Sequence, residues 1–529
     1  MDTSDAATSH DGTTWSLTGK RIAVIGSGVS GLGAAWLLAN HSPHRVTLYE
    51  KGDYIGGHTH TVPFQRPPSL SAPANAPVGT IPVDTGFITY NKVNYPNLVQ
   101  LFEYLGVATE DSCMSFGVSR DQGQFEWSSD GLSSIFVQLS NLWNPGHWRM
   151  IYDMVRFTFL GTELLHLPAD HPDRTQLSIG SYLDRNGYSP EFRNNYLIPM
   201  TAAIWTTPMD RCSLEFPAST LIQFLYNHCL LRITGFLQWR TVTGGSQSYV
   251  KRIVETLPDV RVNCPVTGVR RFTNDSGAST VAVTDGHGNT ESYDYVVFAT
   301  HADQALAILG TEATGEEREL LAPFRFTANR AVLHTDLRLM PIRRGAWSSW
   351  NYLVRSPELS ADSKTESPYH DQSLLPQVSL TYCMNKTQNI PEDRYGPVLV
   401  TLNPLWEPDP ALTLGSWNYE HPEFTPEMVA AQRRLPSHIF FCGAWTHYGF
   451  HEDGLTSGLE MAKALGAVCP FDITDASQKC QAPPPTTAMA RSVFAMTDWI
   501  IQHCSLMGVF LTLFSCIALW ANLGTIPTY

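Results

Sequence analysis

A chain of 529 residues exceeds what one simple core accommodates, so two sequential or interleaved domains are expected. Its 43% hydrophobic content, 16% charged residues and 14 tryptophans describe a packed globular protein rather than a disordered one. A net charge of -14, with no long run of Lys or Arg, excludes the basic face that a nucleic-acid partner requires. The ten cysteines stand singly with no C-x-x-C pair, so they read as reduced thiols, with no disulfide framework and no metal site.

Residues 1–19 form a polar tail without the basic and apolar regions of a signal peptide, which places the catalytic body in the cytosol. A strand is predicted at 21–25, followed by Gly26-Ser27-Gly28-Val29-Ser30-Gly31, a helix over 32–40 and a second strand over 45–49 that ends at Glu50. This is a complete β-α-β unit. A Pro-, Ser- and Ala-rich stretch at 65–77 reads as an exposed loop. Amphipathic stretches at 148–165 and 220–231 predict helices of a substrate-side domain. Strand character returns at 260–262, 266–272, 280–284 and 293–299, with turns at Asp285-Gly286 and Gly288-Asn289. A second sheet is expected from 327–333 and 376–382, then a buried strand at 438–442 and a helix starting near Gly454. Beyond Asp498 no charged residue occurs. Residues 500–523 would span about 36 Å as a helix, enough for a hydrocarbon core of about 30 Å, with Trp499 and Trp520 near the two interfaces. A single C-terminal membrane anchor is therefore expected, after a linker containing Pro483-Pro484-Pro485.

The first unit carries the clearest chemistry. Gly26 permits a tight turn, Gly28 lets backbone approach a pyrophosphate, and Gly31 lets helix and strand pack closely. Glu50 stands 19 residues beyond Gly31, where a carboxylate accepts hydrogen bonds from ribose hydroxyls and repels a 2′-phosphate. Together these predict dinucleotide binding. Lys51 follows Glu50, and a second glycine pair, Gly56-Gly57, brings more backbone to the same diphosphate.

With the segment Lys51–Thr61 the chain resembles the flavin amine oxidase superfamily, in which the acid is followed by a G-G-R motif touching FAD. His58 stands where the arginine is usual. The likeness continues through Gly244-Gly245, 260–269, Phe298-Ala299-Thr300, Phe441-Cys442-Gly443-Ala444 (with Ala444 in place of a glutamate) and Gly454-Leu455-Thr456-Ser457-Gly458. Three segments, GGHTHTV (56–62), VDTGFITYN (83–91) and GFHEDGLTSGL (449–459), are similar to a narrower group of NAD/FAD-binding proteins associated with cyclopropane fatty acid synthases.

The resemblance implies an α/β fold. A Rossmann-type FAD-binding domain (GR2-like), made of 20–110, 240–322 and 437–468, interleaves with an α+β substrate domain of 111–239 and 323–436. A linker, 469–498, and the membrane helix, 499–523, follow. It implies FAD held by Gly26, Gly28, Ser30, Gly31, Glu50, Lys51, Gly57, His58, Thr59, Val266, Gly443, Asp453, Gly454 and Leu455. A helix N-terminus beside the flavin would stabilise the negative charge of its reduced form.

The family's lysine near flavin N5 lies on a strand with the pattern N-K-x-V-L, where this chain has Asn329-Arg330-Ala331-Val332-Leu333. Arg330 stays protonated, so it would bind a carboxylate or steady an anionic flavin rather than act as a base. His451 with the adjacent Glu452, beside Asp453, is the acid–base candidate, and Tyr90 is expected to line the same cavity as a further catalytic residue. The leading reading is an FAD-dependent oxidase or desaturase acting on a hydrophobic, fatty-acyl or lipid-like substrate. A flavin-dependent double-bond isomerase, an amine oxidase and a non-enzymatic scaffold beside a lipid-modifying methyltransferase-type enzyme remain as alternatives.

Overall fold

The computed structural model describes residues 7–8, 14–15, 19–68, 79–205, 214–231, 237–273, 277, 279–356, 377–435, 440–474 and 485–503. In chain order the elements that position the site are β1 (Arg21–Ile25), α1 (Val29–Asn40), β2 (Arg45–Tyr49), α2 (Pro96–Leu105), β3 (Phe116–Arg120), β4 (Phe125–Ser128), α3 (Pro145–Leu160), α4 (Gln247–Val254), β5 (Val260–Arg261), β6 (Tyr295–Phe298), β7 (Phe326–His334), β8 (Trp350–Arg355), β9 (Gln377–Cys383), β10 (Leu399–Leu402), β11 (Thr413–Pro422), α5 (His451–Ala464) and α6 (Ala488–His503).

Two sheets organise the fold. The first is parallel, in the order β5-β2-β1-β6, and Ile25 lies opposite both Tyr49 and Phe298, so the carboxyl ends of three strands share one edge. Ile22, Ala23 and Val24 are fully buried, as a central strand covered on both faces requires. Of the strand expected at 438–442, the first two residues lie outside the described residues, and Phe441 forms a parallel bridge with Phe298. The second sheet runs β4-β3-β8-β9-β10-β7-β11, antiparallel except where β3 meets β8. Both sheets draw strands from distant parts of the chain. β11 was not anticipated: Gly415, Asn418 and Pro422 interrupt the apolar alternation that marks a strand.

Helices α1 and α5 approach each other closely. A Cβ at Gly33 would come within 2.8 Å of the Leu455 side chain, and one at Gly458 within 2.1 Å of the Ser30 carbonyl oxygen. Helix α5 begins at His451, three residues ahead of the expected start at Gly454.

Most of the loop expected at 65–77 lies outside the described residues. The second part of the expected linker 469–498 is instead helix α6, packed on α3 through Phe494 and Tyr152. Among the described residues no helix is long and apolar enough to cross a membrane. Of the expected anchor, 499–503 end α6, and the remainder lies outside the described residues.

Candidate functional site

The chain leaves β1 through Gly26 at φ +103°, where a Cβ would also fall 2.7 Å from the Ala299 carbonyl oxygen. Gly31 packs on this turn so tightly that a Cβ would sit 1.9 Å from the Gly26 oxygen. Gly28 differs: no protein atom lies within 4 Å of where its Cβ would be. It immediately precedes α1, whose first turn contains no acidic residue, so the helix N–H groups and positive end are left for an anion. Gly57, at φ +57°, closes in from the other side, its Cβ position 3.1 Å from the Gly28 Cα. At the end of β2, Glu50 accepts hydrogen bonds from Ser27 N (3.1 Å), Ser27 Oγ (2.5 Å) and Gly52 N (2.7 Å).

These residues open onto a cavity of about 640 Å³, within the range usual for cofactor and small-molecule sites. Of the residues singled out above, Gly26, Gly28, Ser30, Glu50, Lys51, Gly57, His58, Val266, Gly443 and His451 line it. A side chain at Gly28 would project into this space. The bare glycine surface, the exposed helix N-terminus and the carboxylate at the strand end fit an adenine dinucleotide.

The remaining expected cofactor residues stand behind this lining. Gly31 and Gly454 let α1 pack on its neighbours, a Cβ at Gly454 meeting Val29 at 2.7 Å. Leu455 is fully buried in the core beside α1. Thr59 is also buried, its Oγ1 2.8 Å from Tyr249 Oη. Asp453 accepts from Phe450 N at 3.0 Å and so caps the start of α5.

Three expected catalytic residues are placed elsewhere. Glu452 turns from the cavity and accepts from Asn97 N (3.0 Å) and Leu98 N (2.9 Å), capping α2. Tyr90 packs among Tyr95 and Phe102 in the core. Arg330 projects from β7 with 41% of its side chain exposed and forms a two-pronged pair with Glu407 (3.0 and 2.5 Å). The strand's alternation instead turns the neighbouring Asn329 inward, where it is fully buried.

His451 does line the cavity. Its Nε2 lies 2.6 Å from Tyr249 Oη, and its ring stacks on Phe87 with centroids 3.8 Å apart. Burial pushes its pKa down to about 3, so near neutrality it is an uncharged partner of a phenol whose own pKa burial raises. A protonated, acid-donating His451 is thereby disfavoured at neutral pH.

The structure adds residues that the sequence did not single out. His301, Tyr419, Glu420, His421 and Trp445 all line the cavity. The His58 ring lies 5.1 Å from those of both Tyr419 and His421. Burial, reinforced by neighbouring imidazoles, lowers His58 well below the usual histidine range and His421 to about 4. A hydrogen-bond chain fixes the His421 tautomer. Arg330 N can only donate, and it donates to Asn403 Oδ1 (2.9 Å). Asn403 Nδ2 therefore donates to Asn329 Oδ1 (2.7 Å), and Asn329 Nδ2 to His421 Nδ1 (2.9 Å). The neutral ring consequently carries its proton on Nε2. Residue 330 thus serves this network through its backbone, not its guanidinium. The signal for Tyr419 and His421 was their period-two spacing, legible only once β11 is known to be a strand.

A family model for flavin containing amine oxidoreductases matches residues 29–332, more than half of the chain. The chain belongs to this family. It is an FAD-dependent oxidoreductase. Solved structures of the same fold include the CLA-producing fatty acid isomerase from P. acnes, at 14% identity and a TM-score of 0.53, covering 85% of this chain and 99% of that one. Putrescine oxidase bound to putrescine superposes at 16% identity and a TM-score of 0.54, covering 84% and 98%. Cyclohexylamine oxidase from Brevibacterium oxydans IH-35A does so at 15% identity and a TM-score of 0.52, also over 84% and 98%. At these identities the likeness concerns the fold. No curated protein sequence matches the chain.

Proposed function

We propose that this flavoprotein oxidises or desaturates an uncharged, hydrophobic substrate of fatty-acyl or lipid-like character. FAD, when bound, supplies the electron acceptor. Gly26, Gly28 and the α1 N-terminus would hold its diphosphate and Glu50 its ribose. The Gly443–His451 side would face its reactive ring.

The observation that carries this reading is the charge state of the cavity wall. Its only carboxylates among the described residues, Glu50 and Glu420, are both engaged, Glu420 by His301 (3.1 Å) and Gln304 (3.1 Å). Burial keeps His58, His421 and His451 neutral, and Phe326, Tyr419 and Phe450 add aromatic surface. An ammonium group would have to compete with these partners for either carboxylate, whereas an apolar chain would meet a wall of neutral rings. The uncharged C-terminal stretch, read as a membrane tether, would bring the body to such a substrate, and the group resemblance to proteins associated with cyclopropane fatty acid synthases points the same way.

The same fold carries a fatty acid isomerase, so redox-neutral double-bond migration on a similar substrate is the second reading. Anaerobic mixing of the purified holoenzyme with a membrane lipid extract distinguishes them. Oxidation predicts bleaching of the flavin and a lipid two hydrogens lighter. Isomerisation predicts an altered lipid of unchanged mass with the flavin left oxidised. Rapid bleaching by putrescine or cyclohexylamine, with no response to lipid, would overturn both.

A further inference from the structure

We infer that the outer face of α6, together with the adjoining 3₁₀ turn Leu139–Trp143, is a surface that rests on a lipid bilayer. Of the twelve large apolar side chains exposed among the described residues, six lie on these two elements: Leu139, Leu142 and Trp143, and Met489, Met496 and Trp499. Trp143 is 85% exposed and Trp499 58%. Such clustering is unusual for a soluble surface, where exposed apolar groups are scattered.

Both elements pack on α3. Arg491 pairs with Glu163, just beyond α3, while Asp498 pairs with Arg156 (3.3 Å) and accepts from Tyr152 Oη (3.0 Å). Helix α6 therefore runs antiparallel to α3, and its last turn heads for the α3 N-terminus. There Trp148 Nε1 holds the Leu142 carbonyl (2.9 Å) and fixes the 3₁₀ turn in place.

Charge is distributed as a bilayer would require. No Asp, Glu, Lys or Arg occurs between Leu132 and Trp148 in a chain of net charge -14. From Ser492 to His503 the one charged residue is Asp498, and it is turned inward against α3. Beyond Arg491, which is paired with Glu163, the face thus offers Met496 and the two tryptophans, side chains suited to the headgroup boundary, without a charge to desolvate. The occupant is indicated by the chain itself, because the residues following His503 carry no charge through Tyr529. This inference extends the tethered reading above. It adds that the body lies on the membrane in a fixed orientation rather than hanging from a loose leash.

The test uses the full-length holoenzyme and phosphatidylcholine–phosphatidylserine vesicles, with and without brominated acyl chains. Flotation reports the tether. The emission of wild type minus a Trp143→Phe/Trp499→Phe variant reports the two tryptophans, and both replacements are conservative at exposed sites. The expected result is flotation, with a difference emission that shifts to the blue and is quenched about twofold or more by brominated chains. Flotation with an unchanged difference emission would overturn the resting surface and leave the tether standing. Absence of flotation would overturn both. A blue shift that grows with protein concentration before vesicles are added would assign the face to a second copy of the chain, and so overturn the inference.

Discussion

The two ends of the cavity are made of different material. From Gly26 to Glu50 the wall is backbone: glycines, helix N–H groups and one carboxylate held by main-chain donors. Around His58, His421 and His451 it is side chain, and each ring is set by partners from distant segments. Thr59 and Tyr249 reach His451, while Asn403 and Asn329 reach His421. A backbone cradle fails completely when a Cβ enters it. A side-chain network fails by degrees, because neighbours rearrange around a lost partner.

The largest effect is therefore expected at the first end. Gly28→Leu should abolish FAD binding without harming the fold, because its Cβ meets no protein atom and fills only the cradle. Purified protein should be colourless and melt at the temperature of wild-type apoprotein, lacking only the stabilisation that bound cofactor adds. Gly31→Val, whose Cβ collides with the Gly26 carbonyl, should fail to fold. Stoichiometric FAD on Gly28→Leu would remove the cradle from this end.

The second end should respond to acid. His58, His421 and His451 are held below their ordinary pKa by burial. Below pH 6.5 the unfolded chain protonates all three while the folded chain does not. Their contribution to stability is thus present above pH 6.5 and lost as the pH falls toward about 4. Asp84 acts in the opposite sense. Burial raises its pKa to about 6, so between about pH 4 and 6 the folded chain holds one proton more. From these four groups alone, three protons less one bind on unfolding, a contribution of about a hundredfold per pH unit to the fall of the folding constant over that window, and buried His147 and His334, also depressed to about 4, steepen it further in the same sense. Denaturant melts across the range measure the slope, and His421→Gln should reduce it about tenfold per unit. An unaltered slope would show that His421 is already charged in the folded protein. The same depression means that His451→Gln should leave the shape of the activity profile near neutrality unchanged.

The contrast between the two ends also explains what could be read without a structure. The Gly26–Glu50 unit is contiguous, and its requirements are conformational, so spacing alone revealed the strand, turn, helix and acid. His58, Gly443 and His451 were reached because they stand beside such backbone features. Tyr249, His301 and His421 were not, because their importance depends on which strand lies beside which. Arg330 shows the limit most clearly. The N-R-A-V-L pattern located a strand, but facing is set by register, and a shift of one residue exchanges the buried and exposed sides. Glu452 was misleading for a related reason: a carboxylate beside a histidine suggests chemistry, yet this one serves the N-terminus of α2.

The smallest expected effect completes the contrast, and it separates position 330 from position 329. The Arg330 guanidinium pairs with Glu407 at the surface, where such pairs contribute about 0–1 kcal/mol. Arg330→Met removes that pair and keeps the backbone N–H that orients Asn403. Flavin reduction per bound FAD should stay within about twofold of wild type, equivalent to less than about 0.5 kcal/mol in the barrier. Asn329→Leu, one residue away, deletes the donor to His421 Nδ1 and frees the ring to change tautomer. Its reduction rate per bound FAD should fall by up to about 10²-fold, the order of loss that misplacing a reacting group produces. Stopped-flow reduction, normalised to flavin content, compares the two directly. A slow Arg330→Met beside a normal Asn329→Leu would invert the assignment and bring the guanidinium to the reacting end. Equal, unimpaired rates would show that the His421 network orients nothing that reacts.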